Sequence, residues 1–110
     1  MEKETALFKV LSDSTRLRLA ILLAIRGDTC VCKLAEALDE PEFKISRHLG
    51  IMRSAGTVEA RREGTWMHYK LAKPRHDLEE CLQDCLRGCL AAHRTVKADL
   101  KRLDKRTCAK

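Results

Sequence analysis

A mainly α-helical domain with one small β-hairpin is the fold class this sequence predicts, and three observations predict it. Only 4% of the 110 residues are aromatic, against 35% charged and 45% hydrophobic, a balance that suits helices packed through aliphatic side chains better than stacked sheets. Apolar residues recur at spacings of three and four over most of the chain. One segment, around Glu63-Gly64, places a turn pair between runs of strand-forming residues. A chain of this length can build one modest core, but not two good ones.

Taken in order, the first helix is predicted over about residues 3–11, carrying Leu7, Phe8, Val10 and Leu11. Ser12-Asp13-Ser14 supplies capping side chains for a second helix over 14–26. Its Leu17, Ala20, Ile21, Ala24 and Ile25 fall at i, i+3, i+4, i+7 and i+8, the stripe of a core-facing helix. Gly27-Asp28 stops it. A third short helix is expected over Val31–Leu38. Asp39-Glu40-Pro41 then turns into a fourth, with proline in its first turn and Ile45, Leu49 and Met52 facing inward as far as Ala55-Gly56. Val58–Arg62 and Thr65–Leu71 make the hairpin, with Trp66 and Tyr69 typical of strands. After Pro74 a single long helix is expected from about His76 to about Leu103. Leu78, Leu82, Cys85, Cys89, Ala92, Val96, Leu100 and Leu103 form on it a seam that calls for a partner helix. Residues 1–104 thus form one domain, and 105–110 a flexible tail.

Lys and Arg number 22 against 16 Asp and Glu, a net charge of +6, so polyanions are the favoured partners and nucleic acid the first of them. Two short helices joined by a tight turn, the second dense in Lys44, Ser46, Arg47 and His48, form the pattern of a helix-turn-helix that grips DNA. The hairpin adds Arg61, Arg62, His68 and Lys70. Arg47 is the first candidate for a base or phosphate contact, since a guanidinium can bond guanine bidentately, whereas Ser46 and Lys44 suit the DNA backbone. The competing reading for any one of these residues is an ordinary solvated charge. No apolar run approaches the roughly 18 residues that span a bilayer, and the N-terminus is charged, so a cytoplasmic location with no membrane partner is expected.

In that reducing compartment six cysteines read better as metal ligands or redox groups than as a disulfide framework. On a regular helix Cys30 and Cys32 would point about 200° apart and could not share an ion. They can do so if Cys30 sits at or before the first turn, in a locally extended segment. Thiolates favour soft ions, which makes As(III) and Sb(III), then Cd(II) and Pb(II), the candidate ligands. Two small buried hydrophobes are the plainer alternative. Cys81, Cys85 and Cys89 follow one another at i, i+4 and i+8, with the outer two about 12 Å apart along the axis, too far to share one small ion. They are open to packing at a dimer seam, to a second soft-ion site, or to donating a third ligand to Cys30 and Cys32. Cys108 is a further, weaker candidate.

Over nearly the whole chain these residues resemble the ArsR/SmtB family of arsenical-resistance repressors. The run from Leu11 to Arg18 is similar to the family's opening between its first two helices, and Thr29-Cys30-Val31-Cys32-Lys33-Leu34 to its metalloid-binding motif. Lys44-Ile45-Ser46-Arg47-His48-Leu49 and Gly64-Thr65-Trp66-Met67-His68-Tyr69 are similar to its recognition helix and wing. The resemblance implies a winged helix-turn-helix that forms a homodimer through its first and last helices. It further implies a recognition helix in the major groove of operator DNA, and repression relieved by ion binding. The chain departs from the pattern in two places. Arsenic-responsive members often carry a further cysteine three residues after the second, where this chain has Ala35, and His76 and His93 lack the spacing of the family's zinc sensors. Only Asp39, Glu40 and Pro41 separate the helix after Cys30 from the recognition helix, so an ion that distorts the one would re-aim the other.

The competing functions are weaker. An enzyme would need a nucleophile with its base, a phosphate loop or an open metal site with acid and base groups, and the sequence offers none of these. A thiol oxidoreductase would be expected to show Cys-x-x-Cys, whereas the spacing here is Cys-x-Cys. A cytosolic thiol-rich metal buffer or chaperone would leave the basic helix and hairpin without a purpose. A repressor that responds to thiol oxidation keeps the DNA half of the argument and changes only the signal.

Overall fold

The element order is α1 (Glu2–Leu11), α2 (Ser14–Arg26), β1 (Thr29–Cys30), α3 (Val31–Leu38), α4 (Glu42–Ser54), β2 (Val58–Glu63), β3 (Trp66–Leu71), α5 (Asp77–Gly88) and α6 (Arg94–Lys105). This is a computed structural model, and it describes residues 1–105. Of the expected tail only Lys105 falls among them, as the last residue of α6; residues 106–110, with Cys108, lie outside the described residues.

Helix α2 is the hub. Asp13 caps it from an extended backbone, its Oδ1 accepting the amides of Thr15 at 2.9 Å and Arg16 at 3.1 Å. Five consecutive residues, Leu19 to Leu23, are buried, so the helix is enclosed around most of its circumference. The stripe expected from periodicity was too narrow, and three of its members, Leu17, Ala24 and Ile25, are only half-buried. Helices α1 and α5 pack on one part of α2, and α3, α4, α6 and β3 on others. Gly27 ends it at φ 75°, a backbone that side-chain-bearing residues rarely adopt.

The sheet is antiparallel with order β1-β3-β2. Glu63 pairs with Trp66, so the hairpin turn is Gly64-Thr65, one residue later than the sequence suggested, with Gly64 at φ 63°. Strand β1 was not expected. Two residues cannot show a period, and its pairing of Thr29 with Tyr69 and Cys30 with His68 is visible only in three dimensions.

The long C-terminal helix expected from the heptad-like spacing is two helices. It stops at Gly88, and after a turn through Cys89–His93 a new helix begins with the His93 ring accepting the Thr95 amide at 3.1 Å. Gly88 favours a helix end, and the His93 ring is placed to start another. The break also rotates the seam. The buried residues of α5 are Glu79, Gln83 and Leu86, while Cys81, Cys85 and Cys89 are exposed.

Two buried carboxylates hold these helices. Glu79, 1% exposed, receives both the backbone amide and the guanidinium of Arg75, whose Nη1 also reaches the Ala55 carbonyl behind α4. Burial pushes the Glu79 carboxyl up, but its bonds to Arg75 outweigh this and leave it below the ordinary 4.5. Asp99 of α6, also 1% exposed, takes a two-pronged bond from Arg18 of α2 at 2.7 and 2.9 Å and a third from Arg102 at 2.8 Å. Arg102 then donates to the Ala37 carbonyl at 2.7 Å, so α6 clasps the end of α3.

Candidate nucleic-acid interface and cysteine pair

Helix α4 begins one residue later than expected, with Pro41 as its cap rather than inside its first turn; the Pro41 carbonyl accepts the amides of Lys44 and Ile45. Ile45, Leu49 and Met52 are 0% exposed. Truncating such residues costs about 2–5 kcal/mol each, so the inward face of α4 is committed to the core and the outward face alone is available for binding.

The seven candidate DNA residues divide on this basis. Ser46, Arg47 and Arg62 are exposed, and among the described residues no ion pair engages them. Lys44 is half-buried with its Nζ 3.2 Å from Glu40, a pair that a phosphate can replace at small cost. Arg61 is exposed but held by Asp28 and Glu63, both at 3.0 Å, and Lys70 lies 3.9 Å from Glu59. His48 differs from the rest. It is 9% exposed and turned inward, its Nδ1 3.3 Å from Nη1 of Arg16, while Arg16 Nε donates to the Val10 carbonyl at 2.7 Å. His48 therefore joins α4 to the α1–α2 corner. Sequence reasoning could not see this, because its partner lies 32 positions away.

On the hairpin, Asp28 and Glu63 bracket His68 at 3.4 and 3.5 Å as well as Arg61, which ties the strands to the turn after α2. Trp66, beside the hairpin turn, is half-buried and packs against the core.

Cys30 is the last residue of β1 and the cap of α3, with extended angles of φ −66° and ψ 143°. The extended backbone turns its side chain so that Sγ lies 2.9 Å from Sγ of Cys32 in the first turn of α3. Two thiolates bound to one ion at about 2.3 Å each can be no more than about 4.6 Å apart, and the pair is within that limit. Cys30 is 5% exposed and Cys32 half-buried. Among the described residues no group of three or more His, Cys, Asp or Glu side chains is placed to hold an ion. Cys85 and Cys89 bring their sulfurs to 3.5 Å on the exposed side of α5. The hydrogen bond between them and the charge of Cys89 hold the Cys85 thiol above its ordinary 9.0.

Beyond α3, Asp39 adopts a left-handed backbone (φ 55°) and the Glu40 amide bonds back to the Ala35 carbonyl, so the turn into α4 is short and defined. Helix, tight turn and outward-facing second helix, followed by a basic hairpin, make a winged helix-turn-helix.

Comparison with known proteins agrees. Residues 13–60 match the family model described as bacterial regulatory protein, arsR family. The chain is 48% identical over 66 residues to the arsenical resistance operon repressor of Escherichia coli, a match covering 60% of this chain and 56% of that protein, so it spans little more than half of that relative's length. It is 46% identical over 74 residues to an HTH-type transcriptional regulator of Methanocaldococcus jannaschii, covering 67% of this chain and 83% of the relative. Among solved structures, the homodimeric winged helix-turn-helix domain of Mb0332 from Mycobacterium bovis, a possible ArsR-family regulator, superposes with a TM-score of 0.64 at 31% identity, covering 84% of this chain and 86% of that one. The winged helix-turn-helix and these relatives lead to one assignment: the chain belongs to the ArsR family of bacterial transcriptional regulators.

Proposed function

We propose that this protein is a cytoplasmic homodimeric repressor that binds operator DNA through α4 and the β2–β3 wing and is released when a thiophilic ion binds Cys30 and Cys32. The observation that carries the reading is the 2.9 Å approach of the two sulfurs at the cap of α3, the helix that leads into α4. Arsenical resistance in the name of the Escherichia coli relative supports As(III) or Sb(III) as inducer, with Cd(II) and Pb(II) the alternatives of similar softness. An ion with bonds of about 2.3 Å at pyramidal to tetrahedral angles holds its sulfurs about 3.3–3.8 Å apart. In the reduced protein the pair must therefore spread. Cys30 is anchored through β1 to β3, so Cys32 and the start of α3 yield, and the motion passes across Asp39–Pro41 into α4.

Arg47, Ser46 and Arg62 contact DNA directly in this reading, with Lys44, Arg61 and Lys70 exchanging their carboxylate partners for phosphates; His48 positions α4. The dimer forms through α1 and the C-terminal helices, where Phe8 is 53% exposed and Cys81 and Cys85 face outward. The closeness of the sulfurs favours one other signal, oxidation of the pair, which would draw them together instead of apart.

Fluorescence anisotropy on a duplex from upstream of its own operon, in reductant, with and without trivalent arsenic, cadmium or zinc, tests the proposal. Binding that weakens with arsenic or cadmium supports it, and binding that weakens only with oxidant selects the other signal. Ion-insensitive binding sinks the switch, and no binding at all sinks the repressor. Arg47→Ala should cost about 1–3 kcal/mol in DNA affinity, and if the lost contact is to a phosphate the log–log salt slope should fall by about 0.9.

A further inference from the structure

The outward face of α4 carries two features that the contacts proposed above do not use. Phe43, in its first turn, is 75% exposed and is not packed on the core. Gly50, in mid-helix, has nothing within 4 Å of where a Cβ would stand and no positive φ. Glycine in a helix interior is destabilising relative to alanine, and here neither backbone conformation nor a neighbour within the chain calls for it. At about 100° per residue, Phe43, Arg47, Gly50 and Ser54 fall within about 60° of one another, opposite the buried Ile45, Leu49 and Met52. A large apolar ring and a bare stretch of backbone thus share one line with the unpaired Arg47, flanked by Lys44 and Arg53 on a chain of net charge +6.

We propose that this line reads thymine: Phe43 rests on the 5-methyl group of a thymine in the major groove, and the absence of a side chain at Gly50 lets the helix seat close to the DNA. The proposal rests on the DNA-binding reading above. A recognition helix presents its N-terminal residues to base edges, and the thymine methyl is the apolar group the major groove displays to a ring without polar atoms. Arg47, one turn further on, would then contact a neighbouring base pair or phosphate, so that the two side chains together set a sequence preference that charge alone cannot.

The test uses a fluorescein-labelled duplex from upstream of the protein's own operon, prepared with thymine or with uracil throughout, which removes only the methyl groups. The wild-type dimer should bind the thymine form about fifteenfold more tightly, the worth of two buried methyls at about fourfold each. Phe43→Ala should lose about that factor on the thymine duplex and bind both forms alike; because the ring is exposed, its thermal unfolding should match wild type. Gly50→Ala should unfold at a higher temperature yet bind both duplexes several-fold more weakly. A Phe43→Ala variant that keeps the wild-type preference for thymine overturns the proposal, as does a wild-type protein with no such preference. Gly50→Ala binding as tightly as wild type overturns the close approach. Wild-type protein that does not bind the duplex at all refutes the DNA reading itself, an outcome separate from the loss of the methyl preference alone.

Discussion

The cysteine pair at the start of α3 and the pair at the end of α5 differ less in their sulfurs than in what surrounds them. Cys30 and Cys32 stand at 2.9 Å and Cys85 and Cys89 at 3.5 Å, so both pairs are close enough for chemistry. On α5 that closeness follows from i, i+4 spacing alone, on an exposed face that ends in a turn. At α3 it depends on an abrupt change from strand to helix, with Cys30 buried and paired across the sheet to His68 and the far end of the same helix clasped by Arg102. Proximity makes a ligand pair, but a switch needs both sides of the pair to be held. On α5, moreover, the hydrogen bond with Cys89 and its charge make the Cys85 thiol harder to ionise, and the thiolate is the form that binds metal.

The largest effect expected from this contrast is in the ion response. Cys30→Ser combined with Cys32→Ser should leave DNA affinity nearly intact and abolish an ion-driven loss of about tenfold or more, within the usual span of allosteric coupling. Cys85→Ser with Cys89→Ser should leave that response within about twofold. If the α5 variant loses the response in the same anisotropy titration, the contrast is broken. Next in size is the clasp. Asp99→Ala strands Arg18 and Arg102 and should cost about 3 kcal/mol in urea unfolding, and because α3 is then held at one end only, ion-driven release should weaken with it. Unchanged stability would mean that the clasp does not hold α6 to α3.

The smallest effect concerns the hub. Asp13→Ala removes the α2 cap and should cost about 1 kcal/mol at neutral pH, with little effect on release. The hydrogen bond from the Arg16 amide leads in holding the Asp13 carboxyl below its ordinary 3.8. A carboxylate whose folded value is depressed contributes its full stability well above 3.8 and loses it as the pH falls through the folded value. Unfolding curves of wild type and variant should therefore converge in acid below 3.8, and a gap that persists there would show that the cap works through something other than charge.

Much of this molecule was legible along the chain because its signals are local. Helices α1 to α4 lie within a residue or two of their expected bounds, and the hairpin is displaced by a single residue, since capping residues, glycines and periodicity act over a few positions. The misreadings came where an element is defined by a distant partner. The C-terminal pattern kept its threes and fours across Gly88, so periodicity alone could not show that the chain turns back and docks α6 on α3. Phe43 carried no motif, and its exposure became visible only when the opposite face of α4 was seen to be filled.

By itself, the sequence determined the order of α1 to α4 and the hairpin, the basic character of α4 and the hairpin, and the presence of two sulfurs at the start of the helix-turn-helix, because composition and short-range geometry suffice for these. Tertiary structure alone decided that Cys30 is extended, that His48 faces inward and that α6 clasps α3. Each of these depends on groups between 32 and 81 residues apart, such as Arg16 with His48 and Arg18 with Asp99, and contacts of that range leave no periodic trace in the chain.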